Sequence, residues 1–191
     1  TLSSLVSGLV AKGHKVDVVA PKNSKLIEAS SKAKLHCVEG IEQKSWQHQD
    51  YYSLVTIPDN SLLSGMIERA IAIGKNADII LNLSYDWLPI WMTLNTSIPI
   101  AHIISMGSES FVIRNLISNV YTKYPYNFAF HSKIQASDYP FIENPIIIGN
   151  GFKLDNYDFQ DCKNGPLGWV GRVAPEKGLE DAAYVANKLG E

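Results

Sequence analysis

Four short, almost wholly apolar runs recur along this chain, at residues 78–83, 98–105, 127–131 and 145–148. Runs of this kind, bounded by turn residues, read as strands buried in a parallel sheet. Helical periodicity fills the intervals. Leu62, Leu63, Met66, Ile67, Ala70 and Ile71 mark one helix face, with Asp59 or Asn60 as the expected cap and Gly74 as the stop. Residues 88–94 give a shorter helix. Phe111, Ile113, Leu116, Ile117 and Val120 mark another over 109–121, and residues 133–139 a last short one. Upstream, Leu2, Leu5, Val6, Leu9 and Val10 form a helical stripe ended by Gly13. Residues 14–21 then read as a strand stopped by Pro21, 33–38 as a weaker strand, and 39–58 as a long polar and aromatic loop. Strands that alternate with helices predict an α/β layered domain built on a parallel sheet.

At 191 residues the chain suits one large domain, or one domain plus part of a second. Hydrophobic residues make up 46% and charged ones 19%, enough apolar content for a real core. The net charge of −2, without a basic run, argues against a nucleic-acid partner. No apolar run reaches the ~18 residues that a membrane-spanning helix needs. Cys37 and Cys162 stand far apart without ligand-spaced His, which argues against a disulfide framework or zinc site and for a reducing, cytoplasmic setting. The first helix has no strand ahead of it, although a doubly wound domain opens with one. The expectation is therefore a fragment truncated at both ends, with a domain break in the polar run 153–166.

Two motifs near the end carry the chemistry. Gly168-Trp169-Val170-Gly171-Arg172-Val173-Ala174-Pro175-Glu176-Lys177-Gly178 reads as a strand running into a tight basic turn and then a helix. Pro175 suits the first turn of that helix, and Leu179, Ala182, Ala183 and Ala186 mark its apolar face. Free N–H groups and two cations aimed at one spot are what a diphosphate requires. A plain surface strand–turn–helix with two solvated cations fits the same residues. Upstream, Pro145-Ile146-Ile147-Ile148-Gly149-Asn150-Gly151-Phe152 ends a strand on an Asn-Gly turn, and a polar segment follows that closes on Phe159.

Together these motifs resemble the interdomain region of retaining glycosyltransferases of family 4, which have the GT-B fold of two Rossmann-like domains. In that family an "(I/V)-P-N-G-(V/I)-D…F" segment closes the acceptor domain and "G-R-…-E-K-G" opens the donor domain. Gly149 stands here for the usual Pro and Lys153 for the usual Asp, whereas the second motif matches fully. The resemblance implies a Rossmann-like parallel sheet with helices on both faces over residues 1–152, lacking its first strand. Residues 153–191 would then hold a linker and the first strand–helix unit of the donor domain. Within the family, "Y-D-W-L-P", "A-H-I-I-S-M-G-S" and "G-W-V-G-R-V-A-P-E-K-G-L-E-D-A" look most like bacterial UDP-glucose:tetrahydrobiopterin glucosyltransferases.

On this resemblance Arg172, Lys177 and Gly171 grip the donor diphosphate, and Asn150 and Gly151 lie between the domains. Tyr85, Asp86 and Trp87, with Ser105 and Met106, follow two strands and would line the acceptor side. Ligands gather at that end of a parallel sheet. Ser84 or Asp86 as a helix cap, and Ser108 with Glu109 as cap and first-turn acid, fit the same residues. His102 reads as a packed core histidine, Ser132 as a cap, and His131 as possible lining of the donor side. The implied reaction moves a sugar, glucose above all, from a nucleotide diphosphate to a small-molecule acceptor with retention, and needs no metal ion. The family's E-x₇-E carboxylates would lie beyond Glu191, so the fragment alone is expected to be inactive. The central slot left by the missing strand is expected to be filled by residues 167–173, within the chain or from a second copy as a swapped dimer. Two other readings stay open: a nucleotide-dependent oxidoreductase on a Rossmann domain, and a non-catalytic binding domain of the same fold.

Overall fold

A computed structural model describes residues 2–26, 32–151, 158, 167–171, 173 and 177–190. The chain divides into two compact units, Thr1–Phe152 and Lys153–Glu191. The first is an α/β layered unit whose strands all pair in parallel, a Rossmann-like arrangement.

Its elements run α1 (Leu2–Ala11), β1 (Asp17–Pro21), β2 (Lys34–Val38), α2 (Leu62–Gly74), β3 (Ile80–Asn82), α3 (Trp87–Met92), β4 (Ile100–Ile104), α4 (Phe111–Lys123), β5 (Phe128–Phe130), α5 (Lys133–Ala136) and β6 (Ile146–Ile147). Several boundaries differ from expectation because a hydroxyl further along closes the helix N-terminus. Ser61, not Asp59 or Asn60, caps α2 by accepting from the Ser64 N–H at 3.1 Å. Ser110, not Ser108, caps α4. Ser132 caps α5 as read.

The strands form two sheets. β1 pairs with β2, and β3-β4-β5-β6 make a second sheet in which each strand lies beside the next one along the chain. On β1–β2 the two faces are covered differently. Val18 and Ala20 pack with Val6, Val10 and Leu35 on the α1 side. On the other side α2 closes in, where a Cβ at its Gly65 would lie 2.9 Å from Val38. In the larger sheet all crossovers step in one direction, and right-handed connections then stack their helices on one face. Ile104, Phe128 and Phe130 meet Ile90 of α3, Ile113, Ile117 and Val120 of α4, and Ala136 of α5 in one core.

The opposite face of that sheet is open. Ile79, Leu81 and Leu83 are 48%, 36% and 39% exposed, and Ile146 and Ile148 are exposed as well. This corrects the expectation that residues 78–83 and 145–148 are buried strands: one face of β3 is left uncovered, and the edge strand β6 is exposed on both faces, Ile147 included. β1 and β3 are each the last strand of their sheet, and among the described residues no ladder joins the two sheets. Residues 167–171 and 173 lie in no strand, with Val170 and Val173 almost wholly exposed. Filling of the slot by this segment within the chain is therefore not observed.

In the second unit α6 (Leu179–Leu189) begins after Gly178, whose φ of +61° is left-handed. Among the described residues none of its side chains is buried. Pro175, expected in its first turn, lies outside the described residues.

The loop between β2 and α2 is tied down by a bridge between Ile41 and Ser61. The Ile41 N–H donates to Asn60 O and the Leu62 N–H to Ile41 O. Gly40 makes this approach possible, since a Cβ there would lie 2.6 Å from both N and Cα of Leu62. These are backbone atoms that cannot swing aside. Gly40→Ala should therefore cost about 1–3 kcal/mol, the range for overpacking, read as a lowered thermal midpoint. An unchanged midpoint would show that the loop yields freely.

Candidate functional site

The carboxyl ends of β3, β4, β5 and β6 present four loops along one sheet edge, and most of the residues singled out from the sequence fall there. The loop after β3 is built from the inside. Asn82 folds back so that its Nδ2 donates to Ser84 O at 2.9 Å and its Oδ1 accepts from Ser84 N–H. The same Nδ2 donates to Nδ1 of His102, whose Nε2–H then faces Thr93 Oγ1 at 2.7 Å. His102 is fully buried, and desolvation lowers its pKa to about 4. It is a neutral strut within the sheet and also stacks on Phe128.

Tyr85 and Asp86 stand differently from expectation. Both are buried, because the chain turns inward after Ser84. Asp86 Oδ2 accepts from the Trp46 indole N–H at 3.0 Å, which pins the long loop to the sheet edge. Its Oδ1 is buried without a hydrogen-bond partner among the described residues. Burial raises the Asp86 pKa, while the Trp46 hydrogen bond and the Trp87 and Leu88 N–H groups pull it down. Asp86 sits at the cap position of α3 but makes no capping hydrogen bond there. Trp87 is half-buried and stacks on the partly exposed Trp91 at 5.4 Å.

Tyr85 meets Tyr139 beneath the next loop. The Tyr139 hydroxyl lies 3.3 Å from that of Tyr85 and 3.0 Å from the Gly107 carbonyl, to which it donates. Burial raises both pKa values, so both rings remain neutral donors. Above them the loop after β4 carries the exposed Ser105 and the half-buried Met106, which packs on the core. Gly107 lies against the Asp138 carboxylate, where a Cβ would come 2.6 Å from Oδ2 and make that exposed side chain swing aside.

This loop borders a shallow, open surface depression lined by Tyr51, Ser108, Glu109, Arg114, Ser137 and Asp138. The Ser108 hydroxyl is buried and unpartnered among the described residues. Carboxylates, a guanidinium and hydroxyls at one opening can recognise a polyhydroxylated or amine-bearing small molecule. Ser108 and Glu109 thus border this depression, while Ser110 caps α4. Tyr51, Arg114, Ser137 and Asp138 carry no sequence signal of a site: Tyr51 lies in a loop without periodicity, Arg114 on α4, and Ser137 and Asp138 just past the end of α5.

Asn150 and Gly151 are exposed just past β6. Gly171 and Lys177 belong to the second unit, where the Trp169 indole N–H donates to Lys177 O at 3.1 Å. Arg172 lies outside the described residues. Among the described residues no group of three or more His, Cys, Asp or Glu is placed to hold a metal ion. No helix among them is long and apolar enough to cross a membrane. Compared with known proteins, the chain matches no family model and no curated protein.

Proposed function

We propose that this chain belongs to a retaining glycosyltransferase of the family 4 type, which transfers a sugar from a nucleotide diphosphate to a hydroxylated small molecule. What supports the reading above all is the basic glycine turn Gly171-Arg172…Glu176-Lys177-Gly178, placed after a parallel α/β unit that ends in Gly149-Asn150-Gly151. Negative charge develops on the leaving diphosphate, and Arg172 with Lys177 would stabilise it: the guanidinium as a fork on two oxygens, the ammonium as a point charge. UDP-glucose is the donor that the resemblance favours.

On the acceptor side the placement of residues narrows the choice. Tyr85 and Asp86 act from beneath, holding Trp46 and the loop after β4, whereas Tyr51, Glu109, Arg114 and Asp138 border the opening that an acceptor would enter. The carboxylates of Glu109 and Asp138 would accept hydrogen bonds from substrate hydroxyl or amine groups.

Calorimetry of UDP-glucose with the complete gene product tests the donor assignment. A charge-assisted phosphate contact is worth on the order of 1.5–3 kcal/mol, so Arg172→Ala and Lys177→Ala should each weaken binding roughly ten- to a hundredfold. Unchanged affinity in both variants would remove the basis of the assignment, and binding of a nicotinamide dinucleotide in place of UDP-glucose would favour an oxidoreductase.

A further inference from the structure

The chain leaves the four-stranded sheet at Gly149, a few residues before the boundary between the two compact units. The last rung of the sheet is the Ile148 N–H donating to Phe130 O at 2.9 Å. Gly149 follows with a φ of +70°, a left-handed conformation that glycine adopts without strain. Its carbonyl lies 2.8 Å from Nδ1 of His131. A carbonyl only accepts, so Nδ1 carries a proton and donates.

His131 is itself held. Its backbone N–H donates to Gln135 Oε1 at 2.9 Å. The amide nitrogen of the same Gln135 donates to Ile104 O at 2.8 Å and to Met106 O at 3.1 Å. Both amide atoms of one side chain are therefore used, and three successive strand ends are tied together. The order is the loop after β4, then Gln135, then His131, then the exit at Gly149. Gln135 is placed for this because Ser132 caps its own N–H and starts α5 in the right register.

We propose that His131 is a positioning residue that fixes the direction in which the chain leaves the sheet, with Gln135 keying it to the loop after β4. The exit is thus set by side chains of the sheet edge and not by the Asn-Gly turn alone. A shift of the Met106 loop is carried to Gly149 through two side chains, without the core having to move. The inference stands independently of the sugar-transfer reading, because it rests on contacts within the first unit.

Amide hydrogen exchange of the complete gene product tests it, following peptides over residues 146–151 and over α4 as reference. Loss of one hydrogen bond in His131→Ala should speed exchange at Ile148 roughly three- to tenfold and leave α4 unchanged. His131→Asn places an amide nitrogen close to the position of Nδ1 and should restore wild-type exchange. His131→Gln reaches too far, towards the position of Nε2, and should behave like Ala. Unchanged exchange at residues 146–151 in His131→Ala would overturn the proposal. Should Ala loosen the whole unit, Asn and Gln decide the matter, since equal exchange in these two variants would overturn it as well.

Discussion

Phe130→Ala is expected to remove about 3–5 kcal/mol, the range for deleting a buried aromatic ring. Phe130 is fully buried on β5, tilted against Tyr139 at 5.6 Å, in a core shared by α3, α4 and α5. Its backbone carries the rung to Ile148 on one side and is paired with Ile104 on the other. No neighbour can collapse into the space, because each is anchored on a different element. Against a total stability of about 5–15 kcal/mol, such a loss leaves the unit close to unfolding. Ile148→Ala, at a half-exposed edge position, should change stability by no more than about 0.5 kcal/mol. Urea midpoints of the two variants check the contrast; similar midpoints would mean that the core does not lie beneath β5.

Acid should weaken the fold through His102. Its folded pKa of about 4 lies below the ordinary value of 6.5, so between these values the unfolded chain takes up a proton that the folded one refuses. The stabilisation is complete above pH 6.5 and is lost as pH falls towards 4. The loss should reach about 2 kcal/mol by pH 5 and about 3 kcal/mol by pH 4, from 1.36 kcal/mol per pKa unit. Asp86 works in the opposite sense. Its folded pKa is raised, so the native state gains on acidification and offsets part of the loss. A variant without the imidazole separates the two. Denaturant titrations at pH 7 and pH 5 should differ in the wild type and converge in His102→Gln. An equal difference in both proteins would assign the acid sensitivity to another group.

Element types were readable wherever periodicity was long. The stripe from Leu62 to Ile71 and that from Phe111 to Val120 specified α2 and α4, because three turns of apolar residues leave one solution. Strand burial was not readable. Ile79, Leu81 and Leu83 are as apolar as a doubly covered strand requires, but the hand and direction of the crossovers decide which face receives helices. At the site, position along the sheet edge followed from the order of strands, while exposure did not. Asp86 follows β3 just as a ligand-binding residue would, yet an indole forty residues upstream draws it inward. Trp46 gave no periodic signal, and Gln135 resembles any helix-surface glutamine. Their roles arise from hydrogen bonds between distant segments, which local pattern does not encode.

The separation of the strands into two sheets also bears on how the chain reaches its native state. Among the described residues every ladder is parallel and joins a strand to the next strand along the chain across a crossover. Pairing of this kind waits on closure of the crossover and is slower than local helix formation. Among the described residues no ladder joins the two sheets, and each has its own core: four buried apolar side chains around β1–β2 and thirteen around β3–β6. The smaller core is expected to open first, which makes the amino-terminal strand pair the expected point of entry for proteases and for local unfolding.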